Sequence, residues 1–474
     1  MSDTAVVWFR SDLRVHDNPT LAAAVDEFDE VVPLYVVDPA AYGEGMFGLP
    51  KTGPHRARFR RESLVDLRER LQERGGELVV REGAPADVVP EVAAATDAEA
   101  VHFQTMPSTE EQNTENAVRS ALPEGVAAVS HWTHTLYHLD DLPTPPAGIP
   151  DTFTPWRKDV EGEGEVRETV PTPDSVPVPH IEAGEIPTLA ELGVDRVEPD
   201  ERGVLPFEGG ETRALERVRE YVWDRDHLRE YKETRNGLLG ADYSSKFSPW
   251  LAQGCLSPRR VHAEVQRYEQ ERVSNESTYW LVFELLWRDY WQFQFRKHGP
   301  QFFQQGGIRE RDDIDWSGTD EQFERWAAGE TGVPFVDANM RELNRTGYLS
   351  NRGRQNVASF LANTLRVDWR KGAAYFEAML VDYDVCSNWG NWAYNAQVGN
   401  DSRDNYFDVV GQAGYYDNEA EYVKHWLPEL ADLPPEYAHE PWTMSEQEQG
   451  QYGVALGADY PRPVVEMDHA HDHL

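Results

Sequence analysis

The sequence predicts an α/β N-terminal domain with a Rossmann-like parallel sheet, followed by an all-α domain. In the first 139 residues, short segments rich in valine and alanine alternate with helical patterns, which is typical of a parallel sheet with helices on both faces. From residue 211 onward, apolar residues recur at three- and four-residue steps, as in 278–298 and 350–366, which indicates helices. Between the two regions proline is dense and periodicity fades, which predicts a long connector.

These patterns divide the chain into four segments and place five strands in the first. The segments are an α/β domain at 1–139, a proline-rich connector at 140–206, an all-helical domain at 207–430 and an acidic, loosely packed tail at 431–474. The strands are 5–9, 31–38, 77–82, 100–104 and 126–132. Asn18 can cap a helix with Pro19 at its first position, and a helix at 54–74 ends at Gly75. The GxGxxG motif is absent, which disfavours a nicotinamide site.

The composition is that of a soluble, globular, intracellular protein. Hydrophobic residues make up 40% of the 474, and no apolar run reaches the roughly 20 residues that span a membrane. The N-terminus lacks the basic start and apolar stretch of a signal peptide. The two cysteines, Cys255 and Cys386, form no disulfide framework, so we expect a cytoplasmic location.

The chain is strongly acidic, with 45 basic and 84 acidic side chains and therefore a net charge of −39. Such a charge repels nucleic acid at long range, and it is typical of a protein from a high-salt cell, where repulsion is screened. A DNA site then requires a local basic island. Residues 345–371 offer one, with only Asp368 opposing it. Its cations are Arg345, Arg352, Arg354, Arg366, Arg370 and Lys371.

The segment YSSKFSPWLAQGCLSPRR (243–260) favours an anion site. It places Ser244, Ser245 and Ser248 beside Lys246 at a helix start, where hydroxyl and backbone N–H groups suit a diphosphate. The alternative is a simple helix cap of the Ser–Pro type.

The segment ELLWRDYW places Glu284, Trp287 and Arg288 on one helical face. A buried Glu beside Trp is suited to hydrogen bonding the edge of a nucleobase. The alternative is an aromatic core face with a surface ion pair.

A second group of polar residues spans SNRGRQNVASF and DYDVCSNWGNW. Asn351, Arg354 and Gln355 share a helical face, although Asn351 could serve as an N-cap and Arg354 as a solvated charge. Asp382 and Asp384 could be a metal pair, but no histidine lies close in sequence. Crowded polar and aromatic residues suggest a site for a large, flat ligand with polar edges.

Together with the opening VVWFRSDLRVHDNPTL, these motifs resemble the photolyase/cryptochrome family of flavin photoenzymes. The phrases YKETRNG and VDYDVCSNWGNWAYN, with Gln355 where double-strand photolyases carry Met, are similar to the DASH cryptochrome subgroup. The resemblance implies FAD as cofactor. It implies cofactor-binding roles for Tyr231, Ser244, Ser245, Lys246, Phe247, Ser248, Glu284, Arg288, Asn351, Arg354, Asp382, Asp384 and Asn388.

The resemblance also implies a lesion site and an electron relay. The implied substrate-binding residues are Glu284, Trp287, Asn351, Arg352 and Gln355, of which Glu284 and Asn351 also act in catalysis. The implied relay runs through Trp392, Trp369 and Trp316, although core packing is the alternative for each. Arg354 is implied to pair with Asp382, and Asn388 to face flavin N5. An amide there favours repair chemistry, because signalling relatives carry Asp or Cys.

The antenna chromophore and the histidines are less well defined by the sequence. The family's folate site uses a Glu where this chain has Met106, so 5,10-methenyltetrahydrofolate, a deazaflavin and no antenna stay open; Glu110 and Glu111 are candidate substitutes. Two histidine groups could suggest zinc, but their spacing is not that of a metal site. They are His131, His134 and His138, and His469, His471 and His473.

The resemblance therefore predicts a blue-light enzyme that repairs cyclobutane pyrimidine dimers in single-stranded or looped DNA. An unpaired lesion avoids the unstacking cost of a few kcal/mol. We expect a monomer with no membrane contact and no metal. The alternative is a light-signalling protein with little repair activity, although little C-terminal extension is available for partners.

Overall fold

The N-terminal region forms a five-stranded parallel sheet in the computed structural model, which describes residues 3–400 and 406–467. The strand order is β3-β2-β1-β4-β5, with helices on both faces. The elements are β1 (Thr4–Phe9), α1 (Pro19–Glu27), β2 (Glu30–Val37), α2 (Pro54–Gln72), β3 (Val79–Glu82), α3 (Pro85–Ala95), β4 (Ala100–Gln104), α4 (Thr109–Ala121) and β5 (Ala127–His131). The predicted α/β class is confirmed, and each strand lies within two residues of its prediction.

Local sequence explains these elements. Every residue of β1 is buried, as expected for a central strand covered on both faces. The Asn18 side chain accepts a hydrogen bond from the Leu21 amide at 3.1 Å, with Pro19 at the first helical position, so the predicted cap is present. After α2 the chain turns at Gly75, whose φ of +73° suits glycine.

The connector between the two domains packs on the sheet and contains a helix that the sequence analysis did not predict. The helix α5 (Phe153–Glu163) buries Phe153, Trp156 and Val160, a one-sided pattern. Farther along, the carbonyl oxygens of Pro177 and Ala183 accept hydrogen bonds, each 2.7 Å long, from backbone amides of β2 and β3.

The remaining chain is helical. Its helices are α6 (Glu211–Val218), α7 (Tyr231–Thr234), α8 (Ser248–Ala252), α9 (Pro258–Glu271), α10 (Glu276–His298), α11 (Asp320–Ala328), α12 (Pro334–Thr346), α13 (Asn351–Ser359), α14 (Trp369–Met379), α15 (Val385–Asn395), α16 (Val409–Tyr416), α17 (Glu421–Trp426), α18 (Pro435–His439) and α19 (Glu446–Tyr452). The 23-residue α10 contacts α5, α7, α9 and α15, so it is the axis of this domain. Among the described residues, every helix is too short or too polar to cross a membrane.

The C-terminal segment differs from its prediction. Over 431–467 it is packed rather than loose: Leu433, Ala438 and Tyr460 are each at most 1% exposed. The Tyr460 hydroxyl donates to the buried Asp337 carboxylate at 2.5 Å. The acidic and proline-rich composition concealed α18 and α19, because short helices carry too few apolar residues to show a period.

Candidate functional site

The polar residues singled out above converge where α8, α10, α13 and α15 meet. The centre of this region is Asp382, just before α15. Both of its carboxylate oxygens accept hydrogen bonds from Arg354 Nη2, at 3.0 and 2.7 Å, and Oδ2 also accepts from the Ser248 hydroxyl at 2.6 Å. The Asp382 side chain is 2% exposed. The pair implied by the resemblance is thus present, and Arg354 is not a solvated charge.

Asp384 and Asn388 belong to the start of α15. Asp384 caps the helix by accepting from the Ser387 amide at 2.7 Å, and it also accepts from Gln292 Nε2 of α10 at 2.9 Å. Asn388 donates its amide nitrogen to the Ala373 carbonyl at 3.0 Å. The amide oxygen of Asn388 is therefore the atom left to accept a hydrogen bond from a ligand. Among the described residues, no cluster of acids and histidines has the arrangement of a metal site.

The serine-rich segment before α8 has the features of an anion cradle. The Lys246 ammonium group is buried and lies 3.0 Å from the Ser244 hydroxyl. Burial lowers the pKa of Lys246 well below its usual value, and the nearby carboxyl of Glu342 opposes that shift. The Lys246 nitrogen also lies 2.7 Å from the centre of the Tyr243 ring. A diphosphate bound here would supply the negative charge that favours the ammonium form, so a diphosphate fits this segment. The helix-cap alternative is wrong, because the Ser248 hydroxyl bonds Asp382 and Phe247, in the capping position, makes no side-chain cap.

Tyr231 and the carboxyl of Glu284 lie close to each other. Tyr231 is buried at the start of α7, where burial raises the pKa of its hydroxyl well above the usual value. Glu284 forms an ion pair with Arg235. Burial raises the pKa of Glu284, and the Arg235 guanidinium opposes this.

Trp287 and Arg288 take different roles on α10. The Trp287 ring stacks on Phe153, with centroids 3.7 Å apart and planes 7° from parallel. Arg288 donates to the backbone carbonyls of His134 and Leu251, so its guanidinium ties the connection after β5 and α8 to α10. Phe153 lies in the connector, which is why sequence reasoning missed it.

The exposed start of α13 carries the remaining lesion-site candidates. Ser350, not Asn351, caps the helix by accepting from the Gly353 amide at 3.0 Å, so Asn351 is free to face solvent. Arg352 donates to the side-chain oxygens of Gln355 at 3.1 Å and of Asn236 at 3.4 Å.

The three tryptophans of the implied relay differ in burial. Trp392 and Trp369 are at most 2% exposed, whereas Trp316 is partly exposed. The described ring contacts join Trp369 to Trp389 at 5.7 Å and Trp392 to Trp326 at 6.0 Å. The Trp392 indole also packs on the backbone of α14, the helix that begins with Trp369. Neither Trp389 nor Trp326 was singled out from the sequence.

The predicted basic island is not one surface. Arg354 is paired with Asp382 inside the protein, Arg370 with Asp368, and Lys371 with Asp320. Arg352 is the cation of this group that lies beside the lesion-site candidates. Spacing along the chain failed here because successive helices direct these side chains to different faces.

The acidic residue that contacts Met106 is already engaged in an ion pair. Glu115 pairs with Arg10 and accepts from the Met106 amide at 2.8 Å. Of the candidate substitutes, Glu110 is exposed and paired with Lys51, and Glu111 accepts from a serine hydroxyl.

The histidines of the first group are dispersed. His131 stacks on His102, with ring nitrogens 3.1 Å apart, while His134 Nε2 lies 3.2 Å from Gln292 Oε1. His138 caps a short turn. The terminal group His469, His471 and His473 lies outside the described residues.

Comparison with known proteins identifies relatives along the whole chain. A DNA photolyase model matches residues 5–177, and a model of the FAD-binding domain of DNA photolyase matches 280–474. The cryptochrome DASH of the halophilic archaeon Natronomonas pharaonis is 64% identical over 474 residues, 100% of both chains. The structure of a Synechocystis sp. cryptochrome aligns with a TM-score of 0.96 at 46% identity, covering 99% of this chain and 98% of that one. A class III photolyase from Agrobacterium tumefaciens aligns with a TM-score of 0.85 at 28% identity, covering 100% and 96%.

Proposed function

The chain belongs to the photolyase/cryptochrome family, in its cryptochrome DASH subgroup, and we propose that it uses FAD and blue light to repair cyclobutane pyrimidine dimers in DNA. One observation carries the proposal. The lesion-site candidate Glu284 and Gln292, whose amide donates to Asp384, both belong to α10, about 80° apart around its axis. Eight residues of helix separate them by about 12 Å along the axis. A dimer at one end is therefore close to a flavin at the other.

The residues present fit FAD. The cradle of Ser244, Lys246 and Ser248 suits the diphosphate, and Asp382 and Asn388 suit the polar edge of the ring. Bound, reduced FAD would supply, after excitation by blue light, the electron that splits the cyclobutane ring. The antenna remains a prediction of the resemblance, with a folate, a deazaflavin and no antenna as the alternatives, because Met106 stands where a Glu is expected.

We further propose that single-stranded or looped DNA is the main substrate and that the protein acts as a cytoplasmic monomer. Two cations lie beside the lesion-site candidates, of which Arg235 is paired with Glu284 and Arg352 has neutral amide partners, while the net charge of −39 opposes duplex binding. Little binding energy is therefore left to extract a dimer from a duplex, which costs a few kcal/mol.

Light-dependent repair of matched single-stranded and duplex oligonucleotides, each with one thymine dimer, tests the proposal. We expect repair in light, none in the dark, and faster repair of the single strand at every salt concentration. Equal rates on both substrates would contradict the strand preference. No repair of either, with FAD bound, would contradict the enzyme and favour the signalling alternative.

A further inference from the structure

Tyr415 is the most exposed large hydrophobic side chain among the described residues. The residue is 77% exposed, whereas the next, Phe47, is 44% exposed. A single exposed ring is common on protein surfaces and carries no meaning by itself. The position of Tyr415 at the end of α16, beside the lesion-site candidates, is what gives its exposure significance.

A continuous series of contacts joins Tyr415 to the lesion site. Tyr415 packs on the ring of Tyr416, with centroids 4.8 Å apart and planes 78° apart. The Arg352 guanidinium lies 4.5 Å above the Tyr416 ring and donates to Gln355. The oxygen of Gln412, one turn before Tyr416 on α16, lies 3.4 Å from the same guanidinium. These contacts fix α16 against α13, so the position of Tyr415 relative to Gln355 is set by packed side chains.

Two other exposed or half-exposed aromatic residues, both on α10, already have partners. The face of Trp280 is covered by the Arg235 guanidinium at 4.3 Å. The Tyr279 hydroxyl is held by Glu161 at 2.7 Å. Tyr415 differs, because its only described ring contact is edge-to-face with Tyr416, and such a contact leaves a π face open.

We propose that Tyr415 is a stacking platform for the nucleobase that flanks the lesion in a single-stranded substrate. Every base has a π face, so an aromatic platform accepts any flanking base. In a duplex that base is already stacked and paired, and only an unpaired one can swing onto the ring without that cost. The platform therefore selects single strands. It rests on the proposed function and names how the same site recognises its substrate.

The neutrality of the platform suits this acidic chain. Contacts to phosphate weaken as salt rises, because bound counterions are released, whereas stacking on a neutral ring releases none. A protein with a net charge of −39 can hold few phosphates, so a contact that is independent of charge contributes relatively more. Affinity from Tyr415 should persist at high salt.

The test is binding of the FAD-loaded protein, in the dark, to a fluorescent single-stranded oligonucleotide with a central thymine dimer. Two further oligonucleotides carry an abasic site on the 5′ or the 3′ side of the dimer. We compare the wild type with Tyr415→Ala, Tyr415→Phe and, as a matched control for removing an exposed ring, Phe47→Ala. We expect Tyr415→Ala to raise Kd about tenfold on the intact oligonucleotide, since stacking has that magnitude. Tyr415→Phe and Phe47→Ala should bind as the wild type does.

The abasic oligonucleotides make the assignment specific. In the wild type, one of the two should bind about tenfold more weakly, and Tyr415→Ala should show no further loss on it. The slope of log K against log salt should be the same for Tyr415→Ala and the wild type. An unchanged Kd for Tyr415→Ala, or full additivity of the two losses, would overturn the platform. Failure of the proposed function would appear separately, as absence of light-dependent repair by the wild type. The Kd values on intact and abasic oligonucleotides would still test whether Tyr415 stacks on a base.

Discussion

The candidate site contains two arginine–carboxylate pairs whose carboxylates differ in burial. Next to the cradle residue Ser248, Arg354 holds Asp382, whose side chain is 2% exposed. We include this pair in the cradle from here on. Arg235 holds Glu284, whose side chain is 33% exposed. We call the region of the lesion-site candidates the rim, which comprises Glu284, Trp287, Asn351, Arg352 and Gln355. The two arginine side chains are about equally exposed, at 24% for Arg354 and 25% for Arg235, so the contrast lies in the carboxylates. The buried Asp382 carboxylate depends on its protein partners, whereas water also reaches the Glu284 carboxylate. We therefore expect removal of Asp382 to cost more than removal of Glu284.

The largest expected effect is on the cradle. Asp382→Ala removes the shared acceptor of the Arg354 guanidinium and the Ser248 hydroxyl, so we expect a loss of about 2–3 kcal/mol in the free energy of unfolding and loss of bound FAD. Urea unfolding and the flavin absorbance per protein measure both. Glu284→Ala is the rim control and should cost no more than about 1 kcal/mol. Stoichiometric FAD and normal stability in Asp382→Ala would show that the cradle pair is dispensable.

The cradle side also contains the tryptophan relay implied by the resemblance. Trp392→Phe should leave FAD bound yet slow its photoreduction strongly, because the resemblance implies that the Trp392 indole belongs to the electron relay to the cofactor. Trp389→Phe is the control, since Trp389 contacts Trp369 without belonging to the predicted relay. Photoreduction under blue light, followed by absorbance, gives the rates. If Trp389→Phe slows photoreduction and Trp392→Phe does not, the electrons pass through Trp389 rather than Trp392.

The stability of the protein should depend on pH through Glu342, whose carboxyl lies near the cradle residue Lys246. Burial raises the pKa of Glu342 to about 7 from its ordinary 4.5. The folded state then binds the proton more tightly than the unfolded chain, so the stabilisation from Glu342 is present at low pH and is lost as pH rises between these values. Relative to Glu342→Gln, the wild-type apoprotein should lose about 3 kcal/mol of stability across this window. Urea unfolding at several pH values measures the difference, and parallel curves for the two proteins would contradict it.

The sequence could predict features that depend on local patterns and motifs, but not contacts between distant segments. The fold class and the Arg354–Asp382 pair were predictable, because hydrophobic periodicity is local and the motifs around both residues match the family. Gln292 was missed although it continues the four-residue spacing of Glu284 and Arg288 on α10, so extending that helical face would have found it. The stacking of Phe153 under Trp287 could not be found, since it joins distant segments whose pairing only the folded chain decides.

The rim should matter for repair rather than for stability. Glu284→Ala removes the carboxyl that can bond a base edge, so repair of the single-stranded dimer should slow about tenfold or more, the worth of a hydrogen bond to a charged group. Glu284→Gln should retain part of the rate, since an amide still bonds a base. Initial repair rates at saturating light measure this. Unimpaired repair by Glu284→Ala would place base recognition elsewhere on the rim.

The smallest expected effect concerns salt. Arg352 is a half-buried rim cation whose partners are neutral amides and the Tyr416 ring, so it has charge left for a phosphate. Replacing it in Arg352→Gln should reduce the slope of log K against log salt for single-stranded DNA by about 0.7, the share of one phosphate contact. Arg370→Gln is the matched control, because Arg370 is neutralised by Asp368 and its loss should leave the slope unchanged. Equal slopes for all three proteins would mean that Arg352 only fixes Tyr416 and Gln355 in place. The rim would then bind DNA through aromatic and amide groups alone, in full contrast to the charged cradle.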